Sequence, residues 1–399
     1  MHTPTGLIQI VSEEAMPSLL PVLAFKPNWV IHIVTSSFEH QSRQIMRAAD
    51  SVRAAPPPNC YEEIIFKDMP SMAEINQAVT NAITTCLNKG LRPVLNFTGG
   101  TKLMSIGAFQ AAQKEGVTSF YVDGEHRRFL DGGTGTAVGD LLTTGLSLDP
   151  LAALLSVKII LTAHGCEQQS HGQGVDPILI PLATHLLLNP KEEEKAFQAM
   201  AGKMGAFAKL KSALLPNRWI DAGQIEFELP EEVAKIAEAA KMITRIGGTT
   251  RLRGSSNSTN FGASLQKRYK FFEGGWWEVA VAAAVHRCSA FRDVRMNVEI
   301  AKGGKEPMEE DVLAVQGLQL AYFSCKRGNA KGLHRHLEEV QASARRLGGK
   351  FARKYLAVCH LPDYMRDDLQ KRAAQLHTKI IEPCDLKDDA TLLKAVNTL

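Results

Sequence analysis

Val94-Leu95-Asn96-Phe97-Thr98-Gly99-Gly100-Thr101-Lys102-Leu103-Met104 is an apolar run that breaks at a Gly-Gly pair flanked by hydroxyls and a lysine, then resumes with helical spacing from Leu103. That order reads as strand, tight loop, helix N-terminus. Glycines let a backbone approach a ligand closely. The first amides of a helix have no intrahelical acceptor and lie at the positive end of its dipole. Such a loop is either a plain strand-to-helix turn or a seat for a phosphate or another anion. It is not a Walker loop, because the Gly-x4-Gly-Lys-Ser/Thr spacing is missing, and it is not a GxGxxG fingerprint.

The same grammar recurs on either side. Leu7 to Val11 is a short β-rich run that ends at Ser12-Glu13-Glu14, and a helix is expected over Met16 to Phe25. Trp29 to Val34 has the continuous apolar character of a buried parallel strand. It runs into Thr35-Ser36-Ser37-Phe38 and a helical stretch from Gln41 to Ser51. Ile64-Ile65-Phe66 is a third strand, and Met72, Ile75, Val79, Ile83 and Leu87 mark a helix stopped by Gly90. After the Thr98 loop and a helix to Glu115, Val117 to Val122 is another strand, and Glu125 to Gly139 reads as a hairpin. Strands alternating with helices predict an α/β domain over residues 1–150 with a doubly wound, Rossmann-like parallel sheet. Ligands of such sheets bind beyond the carboxyl ends of the strands. Ser12, Thr35, Ser36 and Ser37, and Thr98, Gly99, Gly100, Thr101 and Lys102 all fall there, so an anionic ligand is expected.

Composition bounds the rest. A chain of 399 residues holds two or three domains, and an apolar share of 45% is ordinary for a globular protein. No apolar run reaches the roughly 18 residues of a membrane span, and Met1-His2-Thr3-Pro4 does not open a secretory signal. The seven cysteines form no CxxC pair, which speaks against a disulfide framework or a zinc knuckle and for a reducing cytoplasm. The net charge of +4 is uneven: residues 261–399 carry 23 Lys and Arg against 17 Asp and Glu, and the remainder 23 against 25. The C-terminal part is therefore the expected nucleic-acid partner, unless its basicity is only a solvated surface.

Residues 151–260 read as a connector. Leu151 to Leu188 is apolar, Asn189 to Leu214 a helix, Trp219 to Leu229 a strand pair and Pro230 to Ile246 a further helix. Helix, short ribbon, helix is compatible with a winged-helix-like module. Arg253 to Asn260 reads as a linker.

A second chemical centre lies beyond it, in residues 261–399. Glu273-Gly274-Gly275-Trp276-Trp277-Glu278 opens a helical run to Val285, and Val294 to Ile300 is a strand. Met308 to Val315 and Leu318 to Cys325 form a hairpin around Gln316-Gly317. Asp311 sits near the start of its first strand, while Ser324 and Lys326 share a face of the second. A carboxylate at such a place holds Mg²⁺ or Mn²⁺, and a lysine beside it orients water and stabilises charge on a phosphate. Glu309, and Glu278 on the preceding helix, add acids. Read alone, Asp-x12-Ser-x-Lys also fits an exposed hairpin with ordinary surface charges. A helix from Leu333 to Leu347, a strand from Tyr355 to Cys359, another helix and the Lys379 to Ile381 strand complete a small α/β domain.

These residues resemble the PD-(D/E)xK, restriction-endonuclease-like superfamily. Together with the Thr98-Gly99-Gly100-Thr101-Lys102 loop and the Gly275-Trp276-Trp277-Glu278 helix start, the chain is similar over nearly its whole length to the CARF-domain nucleases of type III CRISPR defence. The resemblance implies a homodimer that binds a cyclic oligoadenylate, most often cyclic tetra-adenylate, across its two-fold axis. It implies metal-dependent cutting of DNA, RNA or both once that messenger binds. Carried over by position, Thr98 to Lys102 match the second ligand loop, Thr35 to Ser37 the loop after the second strand, and Ser12 matches by place alone. Glu309 and Asp311 match the Glu-x-Asp of the first hairpin strand. Ser324-Cys325-Lys326 matches Glu-x-Lys with a serine in place of the second acid, which leaves Glu278 or Glu309 to compensate. Two alternatives remain open. One is a metal-independent HEPN-type RNase using Arg327 and His334, and the other is a messenger-responsive DNA-binding regulator with a degenerate nuclease.

Overall fold

The computed structural model describes residues 4–124, 128–133, 149–170, 172, 174–201, 225–247, 249–253, 267–327 and 332–397. Its first ten elements are β1 (Thr5–Ile10), α1 (Met16–Phe25), β2 (Trp29–Thr35), α2 (Glu39–Asp50), β3 (Tyr61–Phe66), α3 (Met72–Asn88), β4 (Arg92–Asn96), α4 (Lys102–Lys114), β5 (Thr118–Asp123) and β6 (Arg128–Asp131). The strands form one sheet in the order β3-β2-β1-β4-β5-β6, with β1 to β5 parallel and β6 antiparallel. Alternation along each strand decides which helices cover it. Leu7, Val11, Val30, Val34 and Val94 pack on the side of α1 and α2, and Ile8, Ile10, Ile31, Ile33 and Leu95 on the side of α3 and α4. The direction of winding reverses between β1 and β4, and the crevice beyond their carboxyl ends is the switch point of the fold.

A second sheet runs from edge to edge through Lys379–Ile381, Arg353–Val358, Gln319–Lys326, Met308–Gln316, Phe291–Lys302 and Cys166–Gln168. The elements that lead into it are α5 (Asp149–Leu154), α6 (Val157–Ala163), β7 (Cys166–Gln168), α7 (Ile180–Leu188) and α8 (Pro190–Ala201). Next come β8 (Glu226–Phe227), α9 (Glu231–Ala239), β9 (Ile243–Ile246), β10 (Thr249–Leu252), α10 (Trp276–Arg287), β11 (Phe291–Lys302), β12 (Met308–Gln316) and β13 (Gln319–Lys326). The last elements are α11 (Leu333–Gly348), β14 (Arg353–Val358), α12 (Asp363–Gln375), β15 (Lys379–Ile381) and α13 (Asp389–Asn397). The hairpin of β12 and β13 is antiparallel, and β14 and β15 extend it in parallel. β7 lies inside the stretch expected to be a connector, yet it pairs antiparallel with β11 at the sheet edge.

Pro230 to Ile246 does not form the single helix its spacing suggested. Lys241 has φ of +56° and follows the end of α9, and β-branched Ile243, Thr244 and Ile246 pair with Thr249 to Leu252 as a hairpin. β8 pairs with β10 to complete a three-stranded sheet in the order β8-β10-β9. This hairpin has the form of a wing, but a single helix, α9, lies between β8 and β9, where a helix-turn-helix places two in succession. The expected linker at Arg253 to Asn260 lies outside the described residues except for Arg253, as does most of the expected hairpin from Glu125 to Gly139 apart from β6 and the two residues after it.

One apolar core joins the two halves. Leu19, Leu23, Ile45 and Ala49 from α1 and α2 share a continuous cluster with Ile160 and Leu161 of α6. The cluster continues through Val298, Leu313 and Leu320 of the second sheet to Leu337, Val340 and Leu347 of α11. Polar ties support it: Gln41 donates to the carbonyl of Ala163, and the backbone N–H of Lys350, just past α11, donates to both oxygens of Glu14, at 3.0 and 3.1 Å. No helix among the described residues is long and apolar enough to cross a membrane.

Candidate ligand loop and candidate nuclease centre

The loop after β4 is built from below by Asn96, which is fully buried. Its carboxamide oxygen accepts from the Thr98 backbone N–H at 3.1 Å and the Thr98 hydroxyl at 2.6 Å, and its nitrogen donates to the Pro17 carbonyl at 2.9 Å. The Thr98 hydroxyl in turn accepts from the Val122 N–H at 2.7 Å. Thr98 is thus committed to the scaffold, a role its place in the motif does not announce. A Cβ on Gly99 would overlap the Ile10 carbonyl, so the loop presses against the end of β1, and Gly100 has φ of +78°. Thr101 caps α4 by accepting from the Met104 N–H at 3.4 Å. Thr101 and Lys102 are exposed at the mouth of the crevice. Ser36 and Ser37 are exposed in a short turn between β2 and α2, and the Ser36 hydroxyl donates to the Lys67 carbonyl at 2.9 Å. Ser12 is half-buried after β1, and Thr35 is the last residue of β2. The expected ligand residues therefore come together beyond the carboxyl ends of β1, β2 and β4.

The second centre is built on the β12–β13 hairpin. One Asp311 oxygen accepts from the Cys325 backbone N–H at 2.7 Å, from the Ser324 hydroxyl at 3.4 Å and from the Lys326 ammonium at 3.4 Å. Buried aromatic packing fixes α10 behind it: Trp276 meets Trp277 edge to face, and the Trp277 indole N–H donates to the Ala357 carbonyl at 3.0 Å. This places Glu278, in the first turn of α10, beside the cluster. Burial, then the neighbouring Asp311 and Glu309, push the Glu278 carboxyl up to about 8, against the pull of Lys326 and Lys270. Glu309 is exposed on the adjoining stretch of β12. Glu310, which sequence reading passed over, is buried and paired with Arg346 of α11. It ties α11 to the residue next to Asp311.

A divalent cation with hard oxygen ligands fits this set: a fixed Asp311, a Glu278 whose proton is held only by burial and repulsion from its neighbours, and Glu309. The tightest convergence of ligand atoms among the described residues lies elsewhere, where Glu193, Glu194 and His360 come within 4.8 Å of one another. There the cation's place is already taken. Arg327 donates to Glu193 at 2.9 Å and Glu194 at 3.3 Å, lies 3.3 Å from the centre of the Phe197 ring, and His360 is 3.1 Å from Glu193. Arg327 is thus engaged at the end of β13, and His334, at the start of α11, lies 3.2 Å from Asp368. The two do not form the helical pair that a HEPN site requires.

A sheet of this winding, with loops open at its switch point, is joined in one chain to a second sheet whose hairpin bears carboxylates and a lysine. Residues 7–133 match the family model of the Card1 CARF domain and residues 265–397 that of the Card1-like endonuclease domain. The chain belongs to the CARF-domain nucleases of type III CRISPR defence. In fold it is similar to Can2 from Sulfobacillus thermosulfidooxidans, solved in complex with cyclic tetra-adenylate, with a TM-score of 0.68 and 19% identity over 99% of this chain and 100% of that one. It is similar to protein VC1899 from Vibrio cholerae, with a TM-score of 0.73 and 16% identity over 98% of both chains. A type III CRISPR defence DNA nuclease activated by cyclic oligoadenylate gives a TM-score of 0.53 and 16% identity over 91% of this chain and 47% of that one. No curated protein matches this sequence.

Proposed function

We propose that the chain is a metal-dependent endonuclease, cutting DNA, RNA or both, that is switched on when a homodimer binds cyclic oligoadenylate, most often cyclic tetra-adenylate. The observation that carries this reading is the pairing of a glycine-pressed loop at the sheet's switch point with the Asp311–Lys326 hairpin in a single chain. The Can2 complex with cyclic tetra-adenylate supports the choice of ring size. Two symmetry-related Thr98–Lys102 loops would face the ring, with Lys102, Thr101, Ser36, Ser37 and Ser12 meeting phosphates and Gly99 and Gly100 allowing close approach.

In the nuclease centre, Asp311, Glu278 and Glu309 would hold Mg²⁺ or Mn²⁺. The cation supplies a polarised phosphate and a more acidic water. Lys326 orients the attacking water and offsets charge that builds on the phosphate oxygens. Glu278 would supply the carboxylate that position 324 lacks, releasing its proton where a cation is bound. Ser324 contributes only a hydroxyl held to Asp311.

The test is to incubate labelled single- and double-stranded DNA and RNA with the protein and Mn²⁺, with and without cyclic tetra- and hexa-adenylate. Cutting that needs both messenger and metal is expected. Cutting that persists in EDTA, or tight duplex binding without cleavage under every condition, would overturn the reading. Lys326→Ala should lose cutting while keeping messenger affinity; Lys102→Ala should do the reverse, raising the messenger concentration needed for cutting.

A further inference from the structure

The sheet under the ligand loop carries a polar ladder that the nuclease reading does not use. Gln9 of β1, His32 of β2 and Asn96 of β4 are all fully buried, and they are cross-strand neighbours: Gln9 is in register with both His32 and Asn96. Glu63 of β3 is in register with His32. Four adjacent strands thus hold one polar row in an otherwise apolar face. Buried polar groups persist where they are mutually satisfied.

The direction of each hydrogen bond along this row can be assigned. At one end, Asn96 is fixed by two backbone groups that have no choice of role: its oxygen accepts from the Thr98 N–H and its nitrogen donates to the Pro17 carbonyl. Its nitrogen therefore also donates to Gln9 Oε1 at 3.0 Å. That orients Gln9, whose Nε2 donates to His32 Nε2 at 3.0 Å. His32 must then carry its proton on Nδ1, which donates to the Ser42 hydroxyl at 2.7 Å. At the other end, the Tyr61 hydroxyl donates to the Glu63 carboxylate at 2.6 Å, so Ser42 donates to Tyr61 across 2.5 Å. Burial, and then the bond to Glu63, push the Tyr61 hydroxyl upward, which keeps it a donor. From the Val122 N–H through Thr98 to Glu63, each group accepts from the one before and donates to the one after.

We propose that Glu63, at the far edge of the sheet, and His32, as relay, are positioning residues that brace Asn96, and through it the Thr98 ligand loop, by way of this chain. A carboxylate can only accept, so Glu63 closes the row in the same sense that the Thr98 N–H and the Pro17 carbonyl impose at Asn96. The functional consequence rests on the Thr98 loop being the messenger's seat, as argued above.

His32→Phe keeps the ring's bulk and breaks the chain at its centre. It is expected to weaken cyclic tetra-adenylate binding by roughly tenfold, the scale of one misplaced buried hydrogen bond. Tyr61→Phe, a smaller change that keeps the fold in case His32→Phe does not, should shift binding in the same direction. Hydrogen exchange followed peptide by peptide separates positioning from mere stability. The stretches holding the Thr98 and Val122 amides should exchange faster while β1 keeps its protection. The ¹⁵N spectrum of labelled wild-type histidines, with His32→Phe to identify the signal, should show His32 protonated on Nδ1 alone. A proton on Nε2, or exchange at Thr98 no faster than in β1, would overturn the proposal. Failure of the wild-type protein to bind any cyclic oligoadenylate would overturn the ligand reading instead, because tautomer and exchange are read without messenger.

Discussion

Asp311 is held by a backbone N–H, a hydroxyl and an ammonium, so the direction of its oxygen is fixed by the hairpin itself. The group beside it in the hairpin is a hydroxyl rather than a carboxylate. Ser324→Asp should therefore tighten Mn²⁺ binding by about tenfold, the effect of one added charged ligand on a site of this kind, as read by calorimetric titration; unchanged affinity would place the cation away from Ser324. Glu278 gives a second residue-scale expectation. Its folded value of about 8 exceeds its ordinary value of 4.5, so the metal-free folded state keeps a proton that the unfolded state releases between these values. Stability is lost as pH rises through that window, and Glu278→Gln should raise it by on the order of 2 kcal/mol near pH 8. Denaturant melts at pH 5 and pH 8 measure it: the gain should be small at the lower pH and larger at the higher. Asp311, Ser324 and Lys326 could be read from spacing, because a hairpin with a Gln-Gly turn sets which residues face each other. Arg346 beneath Glu310, and Arg327 bound to Glu193, could not, because each pair is separated by tens of residues or more and meets only through packing. Gln9, His32 and Asn96 did leave a trace: each is a strongly polar inward residue in an apolar strand.

At the scale of the element, the strand-to-helix unit β4–α4 was legible because its parts obey local rules. Apolar residues end at glycines, a threonine caps the helix, and the capping bond is present. The hidden part is how closely the loop presses on β1. Gly99→Ala would drive its methyl group into the Ile10 carbonyl, so the loop must shift. Messenger-dependent cutting should fall by at least about tenfold, with a melting temperature lower by only a few degrees for a loss of about 1 kcal/mol. A variant that binds messenger normally would show that the close approach serves packing alone. α9 and β9 show the opposite case. Helical spacing carried the reading of Pro230 to Ile246 too far, because β-branched Ile243, Thr244 and Ile246 gain more from pairing with β10 than from extending the helix. Edge strand β7 has three residues and escaped notice, because a strand that short has no periodicity to detect.

For the whole molecule, the two sheets draw on one apolar core, with α1, α2, α6 and α11 between them. Thermal unfolding followed by calorimetry should therefore give one transition for the folded chain rather than separate sensor and nuclease transitions. Two resolved peaks would mean that the shared cluster contributes little. Two buried histidines load the protein against acid. Burial holds His32, and burial and then Lys302 hold His164, down to about 3 from an ordinary value of 6.5. The unfolded chain takes up these protons first, so stability should fall as pH drops from 6.5 towards 3, by up to roughly 1.4 kcal/mol per pH unit for each histidine. Melts between about pH 6.5 and 5 should show this slope, and His164→Phe should make it shallower.

Glu14 gives the shared core a further meaning. Its carboxylate, two residues beyond Ser12, receives the backbone N–H that follows α11, and a Cβ at Gly349, whose φ is +72°, would meet that carboxylate and the His164 ring. The sensor half and the cutting half therefore do not behave as interchangeable cassettes. Grafting this N-terminal sheet onto another effector would leave α1 and α2 with a bare greasy flank and Glu14 with nothing to grip. A working chimera would have to carry α6 and α11 along with it, and sequence drift on either side of that seam is constrained by the other.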